Sequence, residues 1–204
     1  MRENVLEEEI GLKSVAVFCG SSKGASDVYV EGAKQLGKEL ARRGITLVYG
    51  GSSIGVMGAV ADAVLAEGGQ AIGVMPGFLD KREISHKHLT ELIIVDSMHE
   101  RKAKMAELSE GFMTLPGGPG TMEEFFEIFT WAQLGLHRKP LGFLNINHYY
   151  DPLLEFFKHM AREQFLHEKY LSMALVDTDP GRLLDQFGAY EPPAVKTFLK
   201  PDQT

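Results

Sequence analysis

Seven short apolar runs separated by amphipathic stretches leave this chain few folds to choose from. The runs lie at residues 15–20, 46–51, 71–76, 92–96, 112–116, 141–146 and 174–178, long enough for buried strands and too short for buried helices. Between most of them, residues 27–43, 56–67, 98–110, 122–134 and 152–164 repeat apolar positions at three- and four-residue spacing, the pattern of helices with one covered face. Strands fed by crossover helices build a parallel sheet. The expected fold is α/β: a single Rossmann-like domain with a parallel sheet of about seven strands and helices on both faces. The 204 residues suffice for one such domain. The division expected is a flexible extension over 1–12, the domain over 13–190 and a tail over 191–204 that contains Pro192-Pro193.

In sheets of this kind, ligands sit beyond the carboxyl ends of the strands, near the point where the strand order reverses. Three glycine-bearing loops follow strands there: Cys19-Gly20-Ser21-Ser22-Lys23-Gly24, Tyr49-Gly50-Gly51-Ser52-Ser53-Ile54-Gly55-Val56-Met57-Gly58, and Leu115-Pro116-Gly117-Gly118-Pro119-Gly120-Thr121-Met122-Glu123-Glu124. The third is the richest, because its glycines permit a tight turn and a close approach while the helix that follows offers N–H groups without internal partners. Pro119 has no N–H, so Gly118, Gly120 and Thr121 are the expected donors to an anion. The loop lacks the lysine of a Walker A motif, since Thr121 follows Gly120 directly, and it carries Glu123 where a dinucleotide fingerprint needs glycine. A single phosphate beside a carboxylate fits better. A purely structural reading competes, because Thr121 and Glu124 also stand at capping-box spacing.

A second constellation, Ser97-Met98-His99-Glu100-Arg101-Lys102, opens another helix near the same sheet edge, with Ser97 and Glu100 spaced as a capping box and Met98, Met105 and Leu108 as its buried stripe. Arg101 and Lys102 are either anion ligands or part of a solvated basic face; guanidinium geometry suits phosphate or carboxylate. The formal charge of −7 argues against a nucleic-acid polymer as partner. Cys19, the only cysteine, sits in an apolar run, so no internal disulfide is possible and a reducing compartment is expected. Residues 1–9 are acidic where a signal peptide would be basic, and no apolar run approaches membrane-spanning length, so the expected location is cytoplasmic, with no membrane partner. The histidines form neither an HExxH pattern nor a zinc set with Cys19, so neither a metal nor a cofactor is expected. Phe125, Phe126, Phe129 and Trp131 are more than one helix face needs; they serve the core alone, or the core and a subunit contact.

Met98-His99-Glu100-Arg101-Lys102 followed by Pro116-Gly117-Gly118-Pro119-Gly120-Thr121-Met122-Glu123-Glu124 resembles the PGGxGTxxE proteins typified by the Lonely Guy cytokinin-activating phosphoribohydrolases. The likeness extends through Thr130-Trp131-Ala132-Gln133-Leu134-Gly135 and Asn145-Ile146-Asn147-His148-Tyr149-Tyr150, and covers about residues 13–170. It implies hydrolysis of the N-glycosidic bond of a purine nucleoside 5′-monophosphate, N6-substituted adenine nucleotide or AMP, to free base and ribose 5-phosphate, by a homodimer. Position by position, Glu124 matches the motif glutamate and Arg101 the catalytic arginine, with Lys102 beside it. Gly117, Gly118, Pro119, Gly120, Thr121, Met122 and Glu123 match the nucleotide-contacting loop, Thr130 a polar contact further along, and Glu83 a substrate-contacting glutamate. Such sequences sometimes carry the label lysine decarboxylase, yet no residue pattern here would hold pyridoxal phosphate. The loop after the second run reads Gly50-Gly51-Ser52 where many relatives have a third glycine. The competing class is a carrier that binds a nucleotide or the molybdenum cofactor without turning it over. A carrier would have no need of Arg101 with Glu124.

Overall fold

The computed structural model describes residues 11–80 and 85–195. Seven strands, β1 (Ser14–Phe18), β2 (Thr46–Tyr49), β3 (Ala71–Pro76), β4 (Glu91–Val95), β5 (Gly111–Thr114), β6 (Leu141–Leu144) and β7 (Ala174–Asp177), form one sheet in the order β4-β3-β2-β1-β5-β6-β7. Every pairing is parallel. The helices are α1 (Val28–Arg42), α2 (Gly55–Ala66), α3 (Gly77–Asp80), α4 (Met98–Leu108), α5 (Pro119–Gln133), α6 (Asp151–Arg162) and α7 (Pro180–Gly188). The expected α/β fold and its parallel sheet are what the chain adopts.

Strand alternation sorts the core into two layers. Val15 and Val17 of β1 face one way, onto Leu36 and Leu40 of α1, Val60 and Val64 of α2, and Leu183 and Phe187 of α7. Ala16 and Phe18 face the other, onto Met105 of α4, Phe125 and Phe129 of α5, and Phe157 of α6. The order reverses between β1 and β5, so the loops leaving these two strands diverge to opposite sides of the sheet and open a crevice at its carboxyl edge.

Several boundaries differ from the sequence expectation. β1, β2 and β5 end earlier than the apolar runs, because the last residues of each run build loops; Gly20 N–H, for example, donates to Pro116 O at 3.1 Å. α5 starts at Pro119 rather than 122, since the fixed φ of proline suits a first helical position. Gly118 is consequently the N-cap and Thr121 lies inside the first turn, so the capping box expected of Thr121 and Glu124 does not form. The other expected box does: Ser97 Oγ accepts from Glu100 N–H at 3.1 Å, and Glu100 reaches back to Asp96 N–H at 2.7 Å, one residue before the cap. α7, which was not anticipated, is nine residues long and capped by Asp179, whose carboxylate accepts from Arg182 N–H at 2.8 Å. Among the described residues no helix is long and apolar enough to cross a membrane. Residues 191–195 are irregular, and the expected extension over 1–12 and tail over 191–204 otherwise fall mostly outside the described residues.

Candidate active site

Arg101 ends the first turn of α4, and Glu124 sits in the second turn of α5. The two helices cover the same face of the sheet, and their side chains meet at its carboxyl edge: Arg101 Nη1 lies 3.1 Å from Glu124 Oε1. Both are buried, at 7% and 5% exposure. Arg101 Nε also donates to the carbonyl of Val74, on β3, at 3.1 Å, which fixes the plane of the guanidinium. Gly50 is required for this approach, because a side-chain carbon there would collide with Arg101 Nη2.

Glu124 is a carboxylate in an unfavourable place. Burial raises its pKa above the usual carboxyl value, and the Arg101 charge opposes that shift without cancelling it. Such a group is a stronger base than an exposed carboxylate, yet is held beside a cation that stabilises its charged form.

A cavity of about 250 Å³ opens onto this pair, lined by Cys19, Gly20 and Ser21 after β1, Met57 and Met98, and Gly118, Pro119, Gly120, Thr121 and Glu123. The N-terminus of α5 forms one wall. The N–H groups of Gly118, Gly120 and Thr121 have no hydrogen-bond partner among the described residues and can receive an anion. The N-terminus of α2 is already occupied: Val56 N–H donates to the carbonyls of Gly20 and Ser22, and Met57 N–H to that of Gly20. Gly117 packs against the Thr121 side chain so closely that any Cβ would collide with its hydroxyl. A second cavity of about 310 Å³ adjoins the first through Gly20, Ser21 and Gly118, and is walled by Lys23, Tyr29, Pro116, Gly117 and Tyr149.

Of the residues expected from sequence, Arg101, Glu124, Gly118, Pro119, Gly120, Thr121 and Glu123 come together around one cavity, with Gly117 in its neighbour. Met122 packs against the core layer beneath. Lys102 is buried and lines neither cavity; its Nζ lies 2.5 Å from Glu123 Oε1 and 3.0 Å from Glu127 Oε2. Burial pulls its pKa down, and the two carboxylates more than offset this, leaving it raised. Thr130 is exposed and lines neither cavity. Glu83 lies outside the described residues. Cys19, Gly50 and Met57 lie in the glycine-bearing loops expected at this sheet edge, though none was assigned a role of its own there; Met98, expected in the buried stripe of its helix, is instead 37% exposed and lines the cavity, because it stands at the first position of α4. Burial pushes the Cys19 thiol well above the usual cysteine value, so it serves as an uncharged wall. Among the described residues no group of three His, Cys, Asp or Glu side chains is placed to hold a metal ion.

A family model described as "Possible lysine decarboxylase" matches residues 57–187. A rice protein named "Probable cytokinin riboside 5′-monophosphate phosphoribohydrolase LOGL2" is 45% identical over 188 residues, which cover 92% of this chain and 77% of that protein. An Arabidopsis thaliana protein, "Cytokinin riboside 5′-monophosphate phosphoribohydrolase LOG7", is 45% identical over 91% of this chain and 86% of its own length. The protein of the same activity name from Rhodococcoides fascians is 48% identical over 82% of this chain and 85% of its own. Among solved structures, the molybdenum cofactor binding protein from Rippkaea orientalis superimposes with a TM-score of 0.67 at 19% identity, covering 87% of this chain and 96% of that one; at this identity the likeness is one of fold.

Proposed function

From a chain that belongs to the cytokinin riboside 5′-monophosphate phosphoribohydrolase family, we infer an enzyme that hydrolyses the N-glycosidic bond of a purine nucleoside 5′-monophosphate, releasing free base and ribose 5-phosphate. Its substrates are N6-substituted adenine nucleotides, whose free bases are cytokinins, with AMP as the unsubstituted relative. The observation that carries this reading beyond the family is the buried Arg101–Glu124 pair beside the open N-terminus of α5. A phosphate seated on the Gly118, Gly120 and Thr121 N–H groups puts the sugar within reach of a carboxylate and a guanidinium.

Cleavage breaks the bond between C1′ and the base nitrogen, and its electron pair leaves with the base. Positive charge develops on the sugar, where the Glu124 carboxylate stabilises it. Water then forms the new bond to C1′ and gives its proton to Glu124; the departing base takes up one proton from solvent, and Glu124 returns its own to solvent, so that the carboxylate is restored. Arg101 balances the negative charge that grows on the base or orients the sugar; its guanidinium is too weak an acid to be the proton donor. Glu123, held by Lys102, and the glycines of the turn shape the phosphate seat. Thr130 and Glu83 are further substrate contacts by family likeness. The catalytic domain spans residues 13–190.

The enzyme acts as a homodimer with α5 at or near the contact, a reading supported by Phe126 and Trp131, which a single protomer covers only in part. A cytoplasmic setting suits a chain whose single cysteine is a buried thiol.

The test is a panel of nucleotides and their matching nucleosides, with chromatography for free base. Base and ribose 5-phosphate released in equal amounts from a nucleotide, with poor cleavage of the nucleoside, is the expected result. Equal catalytic efficiency on AMP and adenosine contradicts the phosphate seat, and tight nucleotide binding without base release points to a carrier.

A further inference from the structure

Three successive carbonyls of the turn before α5 are each held by a donor from elsewhere in the chain. Tyr150 Oη donates to Leu115 O at 2.7 Å, Gly20 N–H to Pro116 O at 3.1 Å, and Tyr149 Oη to Gly117 O at 2.7 Å. Peptide groups are planar, and none is cis among the described residues, so each N–H points opposite to the carbonyl of its own unit. Holding the Pro116 and Gly117 carbonyls therefore sets the direction of the Gly117 and Gly118 N–H groups. Gly118 is the N-cap of α5 and lines the cavity of Arg101 and Glu124.

The first two of these bonds are built into the core: Tyr150 is 2% exposed and Gly20 is buried. The third is not. Tyr149 is 43% exposed, and its ring stands edge-on to Tyr29 and Tyr150 at the wall of the second cavity. The backbone that delivers it is unusual, since Asn147 (φ 53°) and His148 (φ 57°) are consecutive non-glycine residues in the left-handed region. This bend is anchored by Asn145, whose Oδ1 accepts from Tyr150 N–H and whose Nδ2 donates to Asp151 Oδ1, each at 2.7 Å. A disfavoured conformation held by one buried and one half-buried bond, ending in a hydroxyl on the turn that faces the ligand, is the pattern of a functional constraint.

We propose that Tyr149 is a positioning residue for the 5′-phosphate: its hydroxyl clamps the Gly117–Gly118 peptide so that the Gly118 N–H faces the bound anion. The proposal rests on the reading that the substrate is a nucleoside 5′-monophosphate. It assigns Tyr149 no contact with the reacting atoms.

Tyr149→Phe keeps the ring and its edge contacts and removes only the hydroxyl. Loss of one neutral hydrogen bond is expected to raise KM for the nucleotide by about 3- to 10-fold, with kcat within about twofold. Ribose 5-phosphate should bind more weakly by the same factor in calorimetry, while catalytic efficiency on the matching nucleoside stays unchanged. Tyr149→Leu, which also removes the ring, should weaken ribose 5-phosphate at least as much. Unchanged ribose 5-phosphate affinity in Tyr149→Phe overturns the proposal, as does an equal loss on nucleotide and nucleoside. Ribose 5-phosphate binding needs no turnover, so failure of the clamp is distinguishable from failure of the hydrolase reading, which would show as no base release from the unmodified enzyme.

Discussion

Arg101 and Lys102 are neighbours on one helix, both cations, both buried and both paired with carboxylates of α5, yet they face different surroundings. Arg101 meets Glu124 at the end of a cavity, with both partners out of water and the carboxyl pKa raised. Lys102 meets Glu123 and Glu127, whose side chains are 57% and 26% exposed, and it ties α4 to α5. A step of one residue on each helix thus separates a pair placed to act on a ligand from a pair placed to hold two helices in register. Charge pairing alone does not distinguish them. What does is the cavity that opens onto Arg101 and Glu124, with the anion seat beside it.

The comparison breaks most sharply at Glu124. Glu124→Gln keeps shape and can still accept from Arg101, but it removes the charge, and turnover should fall by about 10²- to 10⁴-fold in steady-state assays. If turnover survives, the assignment moves to Glu123 or Glu83. Gly117→Ala attacks the anion seat instead, forcing a methyl group onto the Thr121 hydroxyl. It is expected to cost about 1–3 kcal/mol of stability by denaturant titration, with weakened binding of ribose 5-phosphate. Lys102→Met should behave as the structural pair: a stability loss of about 2–5 kcal/mol, because Glu123 can be rehydrated while Glu127 Oε2 is left buried and unpaired, with kcat changed far less than in Glu124→Gln. A Lys102→Met enzyme as inactive as Glu124→Gln would erase the distinction.

pH offers the subtlest test. The carboxylate form of Glu124 is the active one and its pKa is raised, so kcat/KM should climb along an acid limb whose midpoint lies above the ordinary glutamate value of about 4.3. For stability the sign is opposite. Between the unfolded and the raised folded pKa the native state holds more protons at Glu124, so the contribution of this group is greatest below the unfolded value and is lost as pH rises through the folded one. Denaturant midpoints measured across that window should fall with rising pH more in the native enzyme than in Glu124→Gln.

Much of this was legible in the sequence. The seven apolar runs and their glycine loops place the crevice, because short buried strands and amphipathic crossovers admit only a covered parallel sheet. Arg101 and Glu124 could be placed at one sheet edge from helix position. Their ion pair could not, since it depends on how α4 and α5 pack and on Gly50 leaving room for the guanidinium. The competing reading of Thr121 as a cap fails because Pro119 opens the helix two residues earlier, of which local spacing said nothing. Lys102 stood open between a ligand and a solvated face; it is buried and tied to two carboxylates, which rules out the solvated face. α7 was missed because nine residues hold too few turns for a clear period, although Leu183, Leu184 and Phe187 do mark its buried side.

The central claim is that the Arg101–Glu124 pair performs chemistry on a nucleotide rather than bracing two helices. Calorimetry of the native enzyme and of Glu124→Gln, each titrated with AMP and with an N6-substituted adenine nucleotide, with base release followed in the same samples, addresses it most directly. The expected result is nucleotide affinity within about tenfold of native in the variant, with release of base reduced by at least roughly 10²-fold. A variant that binds and cleaves as the native enzyme does, or one that loses binding and folding together while Lys102→Met is indistinguishable from it, would contradict the claim.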